Sequence, residues 1–202
     1  MLIFNYETLI DPLLQDIRKC TPELSGMKAG DRVLDVCCGT GAQVLEYGRC
    51  GIIAIGIDIN PRMLTVAKKN EIKQKATNVN FQIADAIHLP FPDNYFDYAS
   101  ISLGLHDKKK PIQYQIISEM KRVVKQDGAI ILIDFRVPLP NNVWAILVKT
   151  IESFAGRSHH QAFKDYLRNN GLQNILQNHG LTEERRITLK AGLIIIMKVQ
   201  NS

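Results

Sequence analysis

Val33-Leu34-Asp35-Val36-Cys37-Cys38-Gly39-Thr40-Gly41 decides the fold. An apolar run ends in a carboxylate and breaks into a turn of small residues. Ala42-Gln43-Val44-Leu45-Glu46-Tyr47 then continues as the first turns of a helix. Strand, glycine turn and helix together open a nucleotide-binding βαβ unit. Gly39 and Gly41 permit positive φ and remove the Cβ that would hold a ligand off the backbone. The first amides of the helix point at whatever lies over the turn.

The same stretch restricts the ligand. The dinucleotide pattern G-x-G-x-x-G fails at Val44, and the phosphate-loop pattern G-x-x-x-x-G-K-[ST] is absent. A carboxylate at Asp35 repels a pyrophosphate and attracts an ammonium and a sulfonium. That favours S-adenosylmethionine, which carries no phosphate, over NAD.

Working outward, the chain alternates strands and helices. Apolar positions Leu9, Ile10, Leu13, Leu14 and Ile17 predict a helix from about Tyr6 to Cys20, closed by Pro22 and the Gly26 and Gly30 region. Gly51–Asp58 reads as a second strand, and Asn60-Pro61 as the cap and first turn of a helix. Asn78–Ile83 and Phe96–Ile101 read as the next strands, and Pro111 opens a helix through Val124. Asp127-Gly128 reads as a turn before a fifth strand, Ala129–Phe135. Two helices are expected between Pro138 and about Gln177, then a strand pair, Thr182–Leu189 and Leu193–Val199. This rhythm predicts an α/β, doubly wound, Rossmann-like fold, with a parallel sheet covered on both faces.

The whole chain suits one domain. At 202 residues it can bury a sufficient core. The expected divisions are an N-terminal helical cap over 1–28, a cofactor-binding core over 29–137, a helical substrate cover over 138–178, and a terminal strand pair over 179–202. No apolar run reaches about 18 residues, so no transmembrane helix is expected. Met1–Glu7 lacks the basic start of a signal peptide. Adjacent Cys37 and Cys38 make a poor disulfide, and Cys20 and Cys50 form no C-x-x-C, so reduced thiols and a cytoplasmic location are expected. The net charge of +5 permits anionic partners, and Lys108-Lys109-Lys110 leaves peripheral membrane contact open. The oligomeric state is not legible.

Ligands in such sheets bind outside the carboxyl ends of the strands. Asp35, Asp58 and Asp85 end or follow the first three strands and would converge on one rim. Asp58, with Ile59 beside it, stands near the spacing of an acid that accepts both ribose hydroxyls. Asp85 can accept from the adenine amino group while the Ala86 amide donates to the ring.

These segments carry a resemblance. Leu34–Gly41 is similar to motif I of class I S-adenosylmethionine-dependent methyltransferases. Asp85–Asp97, Ile101–Leu105 and Val123–Gly128 resemble the ubiquinone/menaquinone biosynthesis C-methyltransferases, over about residues 30 to 137. The resemblance implies a seven-stranded sheet in the order 3-2-1-4-5-7-6 with strand 7 antiparallel. It also implies cofactor contacts at Gly39, Thr40, Gly41, Asp58, Asp85, Ala86 and Ser102, with Asp35 and Cys37 in the same motif. Cys37 stands where many members have glycine, His106-Asp107 replaces a common Arg-Asn, and Gln126 replaces a proline.

The implied activity is methyl transfer to a small, apolar or aromatic acceptor, such as a quinone precursor. His106, just past the fourth strand, is the candidate base. Arg136, Trp144 and His160 are candidate acceptor contacts, and Phe154, Phe163 and Tyr166 would suit an aromatic acceptor. Tyr6 could close over the cofactor. No metal site is expected, because no third ligand joins His106 and His159-His160 at a telling spacing. Two rivals stand beside this. A nucleic-acid methyltransferase draws on the positive charge, but [DN]-P-P-[YF] and an aromatic-interleaved basic patch are absent, so no nucleic acid is expected. A non-catalytic S-adenosylmethionine-binding partner protein would keep the same pocket.

Overall fold

The computed structural model describes residues 14–154 and 156–201. Seven strands form one sheet in the order β3-β2-β1-β4-β5-β7-β6. Strands β1 (Arg32–Val36), β2 (Ile53–Asp58), β3 (Val79–Ile83), β4 (Phe96–Ser102) and β5 (Val124–Phe135) pair in parallel. Strand β7 (Ile194–Gln200) slots antiparallel between β5 and β6 (Thr182–Leu189). The expected strand order is the one observed. The helices are α1 (Gln15–Ser25), α2 (Ala42–Arg49), α3 (Pro61–Gln74), α4 (Lys110–Val123), α5 (Val143–Phe154), α6 (Arg157–Arg168) and α7 (Gly171–His179).

The sheet is apolar on both sides. On β1, Val33 joins one core cluster with Val44, Leu45 and Tyr47, while Leu34 and Val36 join another with Ile101 and Ile131. Burial of each such aliphatic side chain is worth about 1.5–3 kcal/mol. Asn60 caps α3 as its sequence position requires, its side-chain oxygen accepting from the Arg62 amide at 3.0 Å.

Three expectations fail. Pro22 does not end the first helix; it lies buried inside α1, which runs on to Gly26. A proline there frees the Arg18 carbonyl one turn back. Gln43 Nε2 donates to that carbonyl at 3.3 Å. The part of the expected helix before Leu14, with Tyr6, lies outside the described residues.

Asp127-Gly128 does not divide a helix from a strand, because β5 already starts at Val124. Phe96 pairs with Val124 and Tyr98 with Ala129, so two steps on β4 face five on β5, a bulge. Gly128 fits because a Cβ there would lie 2.5 Å from the Asp97 carbonyl oxygen. Finally, three helices, not two, fill the stretch after β5. Asn170 and Gly171, both at positive φ, turn the chain between α6 and α7.

Candidate active site

The glycine turn sits at the carboxyl end of β1. Cys38 N donates to the Ile57 carbonyl at 2.8 Å, tying the turn to β2. Gly39 has φ +54, and a Cβ there would meet nothing within 4 Å, so its open side faces the rim. Gly41 serves packing as well: a Cβ would come within 2.5 Å of the Phe81 ring. Cys37 adopts φ +57, a left-handed conformation that favours glycine. This is the position where the resemblance expects one. Burial pushes the Cys37 thiol up to about 12, so it stays protonated at neutral pH.

The strand-end acids differ in environment. Asp35 is buried and its Oδ1 accepts from the Ser100 hydroxyl at 2.6 Å. Burial raises its pKa to about 7 against the opposing pull of Ser100 and Arg18. Asp58 is half-buried. Its Oδ2 accepts from Gly39 N at 2.9 Å and its Oδ1 from Asn60 N at 2.8 Å. Each oxygen keeps a further lone pair for a hydroxyl. Asp85 is exposed and accepts from Ile87 N at 3.1 Å, while Ala86 is buried. Ile59 is exposed beside Asp58. Thr40 is buried, and Ser102 lines the crevice with Asp35, Cys37 and Gly39.

That crevice has a volume of only about 60 Å³. It suits the charged end of a ligand whose remainder lies along the open rim over Asp58 and Asp85. The crevice holds one carboxylate, Asp35, with Arg18 and the bare Gly39, while Asp58 and Asp85 stand on the rim outside it, so the residues fit a phosphate-free adenosyl group with a charged amino-acid end, as in S-adenosylmethionine. A larger cleft, about 680 Å³, lies elsewhere, between Lys108–Pro111 and α6–α7. It lacks the strand-end acids.

A second constellation lies past β4. His106 is buried, and its Nδ1 is 2.7 Å from Asp134 Oδ1. Asp134 is fully buried at the end of β5. Its Oδ2 also accepts from the Leu105 and His106 amides at 3.2 and 3.1 Å, and its Oδ1 from Phe135 N at 2.8 Å. Asp134 thereby fixes both the loop and the imidazole. His106 Nε2 faces Glu152 Oε1 at 3.7 Å, and Glu152 Oε2 lies 2.5 Å from His159 Nε2. Burial works against a charge on His106, yet Asp134, Glu152 and Asp107 outweigh it and raise its pKa. Phe135 and Phe163 pack edge-on against the His106 ring at 4.7 and 5.8 Å between centroids.

The two constellations touch. Gly104 is so close to the glycine turn that a Cβ on it would stand 3.3 Å from Cys37 Cβ. The loop carrying His106 thus leans on the cofactor turn.

Not every expected contact joins them. Trp144 is 44% exposed on the outer side of α5, and Phe154 is 85% exposed. Phe163 and Tyr166 are core residues, Tyr166 donating its hydroxyl to the Phe135 carbonyl at 3.0 Å. Arg136 is exposed beside the Gly192 turn, and its cleft is shared with Asn170, Arg186 and Thr188. His159, not its neighbour His160, faces His106. The expected lack of a third metal-type ligand fails, because α5 delivers Glu152 to both histidines. Asp134 and Glu152 were missed. Asp134 obeys the strand-end rule that identified Asp35, Asp58 and Asp85, and Ile133-Asp134-Phe135 displays it. Glu152 carries no local signal.

A family model described as a methyltransferase domain matches residues 27–180. A demethylmenaquinone methyltransferase of Shouchella clausii is 33% identical over 156 residues, covering 74% of this chain and 65% of that protein. A ubiquinone/menaquinone biosynthesis C-methyltransferase of Azotobacter vinelandii is 37% identical over 126 residues, covering 60% of this chain and 49% of that protein. The chain thus spans less than two thirds of the length of either relative. A structure described as a SAM-dependent methyltransferase from Aquifex aeolicus superposes with a TM-score of 0.68 at 19% identity, covering 92% of this chain and 89% of that one. At that identity the likeness concerns the fold.

Proposed function

The chain belongs to the methyltransferase-domain family, and from that premise we propose that it transfers a methyl group from S-adenosylmethionine to a small apolar or aromatic acceptor of the quinone-precursor class. One observation carries the reading: a rim lined by Asp35 and Asp58 abuts a buried His106–Asp134 pair through a loop in contact with Cys37. The two relatives named for quinone methylation support the acceptor class.

Bound S-adenosylmethionine supplies an electrophilic methyl on a sulfonium, and the C–S electron pair stays on sulfur when the acceptor takes that methyl. The chain's work is alignment and proton handling. Asp35 holds the ligand's ammonium, and Asp58 holds the ribose hydroxyls. Orientation of this kind is worth about 7–11 kcal/mol in favourable cases. Asp134 holds the ring by Nδ1 and leaves Nε2 on the side of Glu152, and in this reading Nε2 is the nitrogen that takes the acceptor's proton. Phe135 and Phe163 keep the ring dry.

The helices between β5 and β6 act as the acceptor's cover in this reading. Val143, Trp144, Ile146 and Phe154 form an exposed apolar side of α5, suited to a lipid-like acceptor or the membrane surface that holds one. No helix among the described residues is long and apolar enough to cross a membrane. The four free thiols support a reducing compartment.

The test is incubation of the protein with isotopically labelled S-adenosylmethionine and a panel of demethylated quinols, followed by mass spectrometry. Label in the quinol supports the proposal. No label in any quinol with the donor bound, or label only in nucleic acid added in a parallel incubation, rejects it.

A further inference from the structure

We propose that His106, Glu152 and His159 form a binding site for one divalent transition-metal ion, zinc by preference, at the acceptor end of the active site. The inference rests on the methyl-transfer reading for its role, though not for its existence. The three side chains come from the β4 loop, α5 and α6, and their ligand atoms all lie within 4.8 Å of one another. Three ligands on one zinc ion at about 2.0–2.2 Å stand roughly 3.3–3.6 Å apart. Glu152 Oε1 and His106 Nε2 are already 3.7 Å apart. Glu152 Oε2 and His159 Nε2 lie 2.5 Å apart, so seating an ion between them requires only a small outward shift of the two side chains.

The surroundings match what a metal site needs beyond its ligands. A ligating imidazole ordinarily gives its other ring nitrogen to a carboxylate. His106 Nδ1 meets Asp134 Oδ1 at 2.7 Å, and His159 Nδ1 faces Asp107 Oδ2 at 3.7 Å. Each histidine therefore has one nitrogen backed by an acid and the other turned toward Glu152. Glu152 itself is out of place for a structural residue. It is buried on the inner side of a helix whose outer side carries Val143, Ile146, Ile151 and Phe154. Ordinary amphipathic packing puts acids outside and aliphatics inside. An inward carboxylate paired with two imidazoles reverses that pattern, and a cation at the centre explains the reversal.

Two histidines and one carboxylate leave at least one coordination position open, as in hydrolytic zinc and non-haem iron centres. Because the loop of His106 touches the glycine turn, the ion would sit beside the cofactor crevice. An oxygen of the acceptor, a phenol or enol, would occupy the open position and lose its proton to solvent more readily. With the ion in place His106 Nε2 is a ligand, and the ion replaces it in lowering the acceptor's proton affinity.

The experiment titrates cobalt into chelator-treated full-length protein while visible absorption is recorded. Zinc competition, circular dichroism and calorimetric S-adenosylmethionine affinity are followed on the same samples. One cobalt per chain, a ligand-field band displaced by zinc, and at least a tenfold loss of cobalt affinity in His159→Ala and Glu152→Gln are expected. His88→Ala, on the exposed β3–β4 connection, should bind cobalt like the parent. Asp134→Asn should weaken cobalt binding by 10–100-fold through its effect on His106. Folded parent protein without a cobalt band overturns the proposal, as does a band untouched by both ligand variants. Cobalt binding without S-adenosylmethionine binding would instead sink the methyl-transfer reading and leave the metal site standing.

Discussion

The glycine rim and the His106 cluster sit side by side, yet they are built in opposite ways. The rim is built close to one element: Asp35, Gly39 and Gly41 lie within one strand–turn–helix, and its links outward, Gly39 to Asp58 and Asp35 to Ser100, reach only the strands on either side of β1. The cluster is assembled from β4, β5, α5 and α6, and none of its parts makes sense without the others. A local site tolerates acids left open to solvent, as Asp85 is, beside the buried Asp35. A long-range site of charged groups must be dry and fully paired, since each unpaired buried charge is costly. The rim is therefore shaped for exchange of a ligand, and the cluster for fixed geometry.

Removing Asp134 strikes the comparison hardest. Asp134→Ala leaves the Leu105, His106 and Phe135 amides and the His106 ring without their acceptor. A loss of about 3–5 kcal/mol in chemical denaturation is expected. A loss under about 1 kcal/mol would show the cluster to be as loosely built as the rim. At the rim, Asp58→Ala should weaken S-adenosylmethionine by about 1–3 kcal/mol in calorimetry through lost ribose hydrogen bonds. Combined with His159→Ala, its effect on that affinity should simply add if the two regions are independent.

Asp35 gives a pH test. Its pKa stands at about 7 in the free protein because burial penalises the carboxylate. A bound ammonium favours the carboxylate and pulls the pKa down, so binding below pH 7 releases a proton. Affinity for S-adenosylmethionine should rise as much as tenfold per pH unit up to about 7 and flatten above it. Stability runs the other way: a raised acid pKa stabilises the fold at low pH, and that contribution is lost as pH climbs from the unfolded value toward 7. Asp35→Asn should flatten both curves, and a pH-dependent affinity surviving in that variant would rule out Asp35 as the ammonium's partner. The smallest effect is Cys37→Gly. Relief of a left-handed cysteine should raise stability by about 1 kcal/mol in thermal melts. A drop would mean that the Cys37 contact with the His106 loop outweighs the strain.

The division between local and distant also decided what could be read from the residues. The β1 turn, the Asn60 cap and the strand alternation follow from neighbours in the chain, and they stood. Pro22 misled because its freed carbonyl is satisfied by Gln43, more than twenty residues on. Asp127-Gly128 misled because Gly128 answers the approach of the Asp97 carbonyl on the next strand. His106 was visible as a candidate, and Asp134 could have been found as one more strand-end acid. Glu152 could not, for its identity as an inward residue depends on which side of α5 packs down. The side on which Trp144 stands is set by the same rotation, which turns it outward.

The hairpin that threads β7 between β5 and β6 has a consequence for synthesis. Until Ile194–Gln200 leaves the ribosome, the backbone of Ala129–Phe135 is an open, aliphatic edge with nothing to pair it. The middle of the finished sheet is thus its most adhesive border during translation. Chaperone dependence and inclusion-body formation should therefore track the delay of that strand rather than changes to the ligand-binding half.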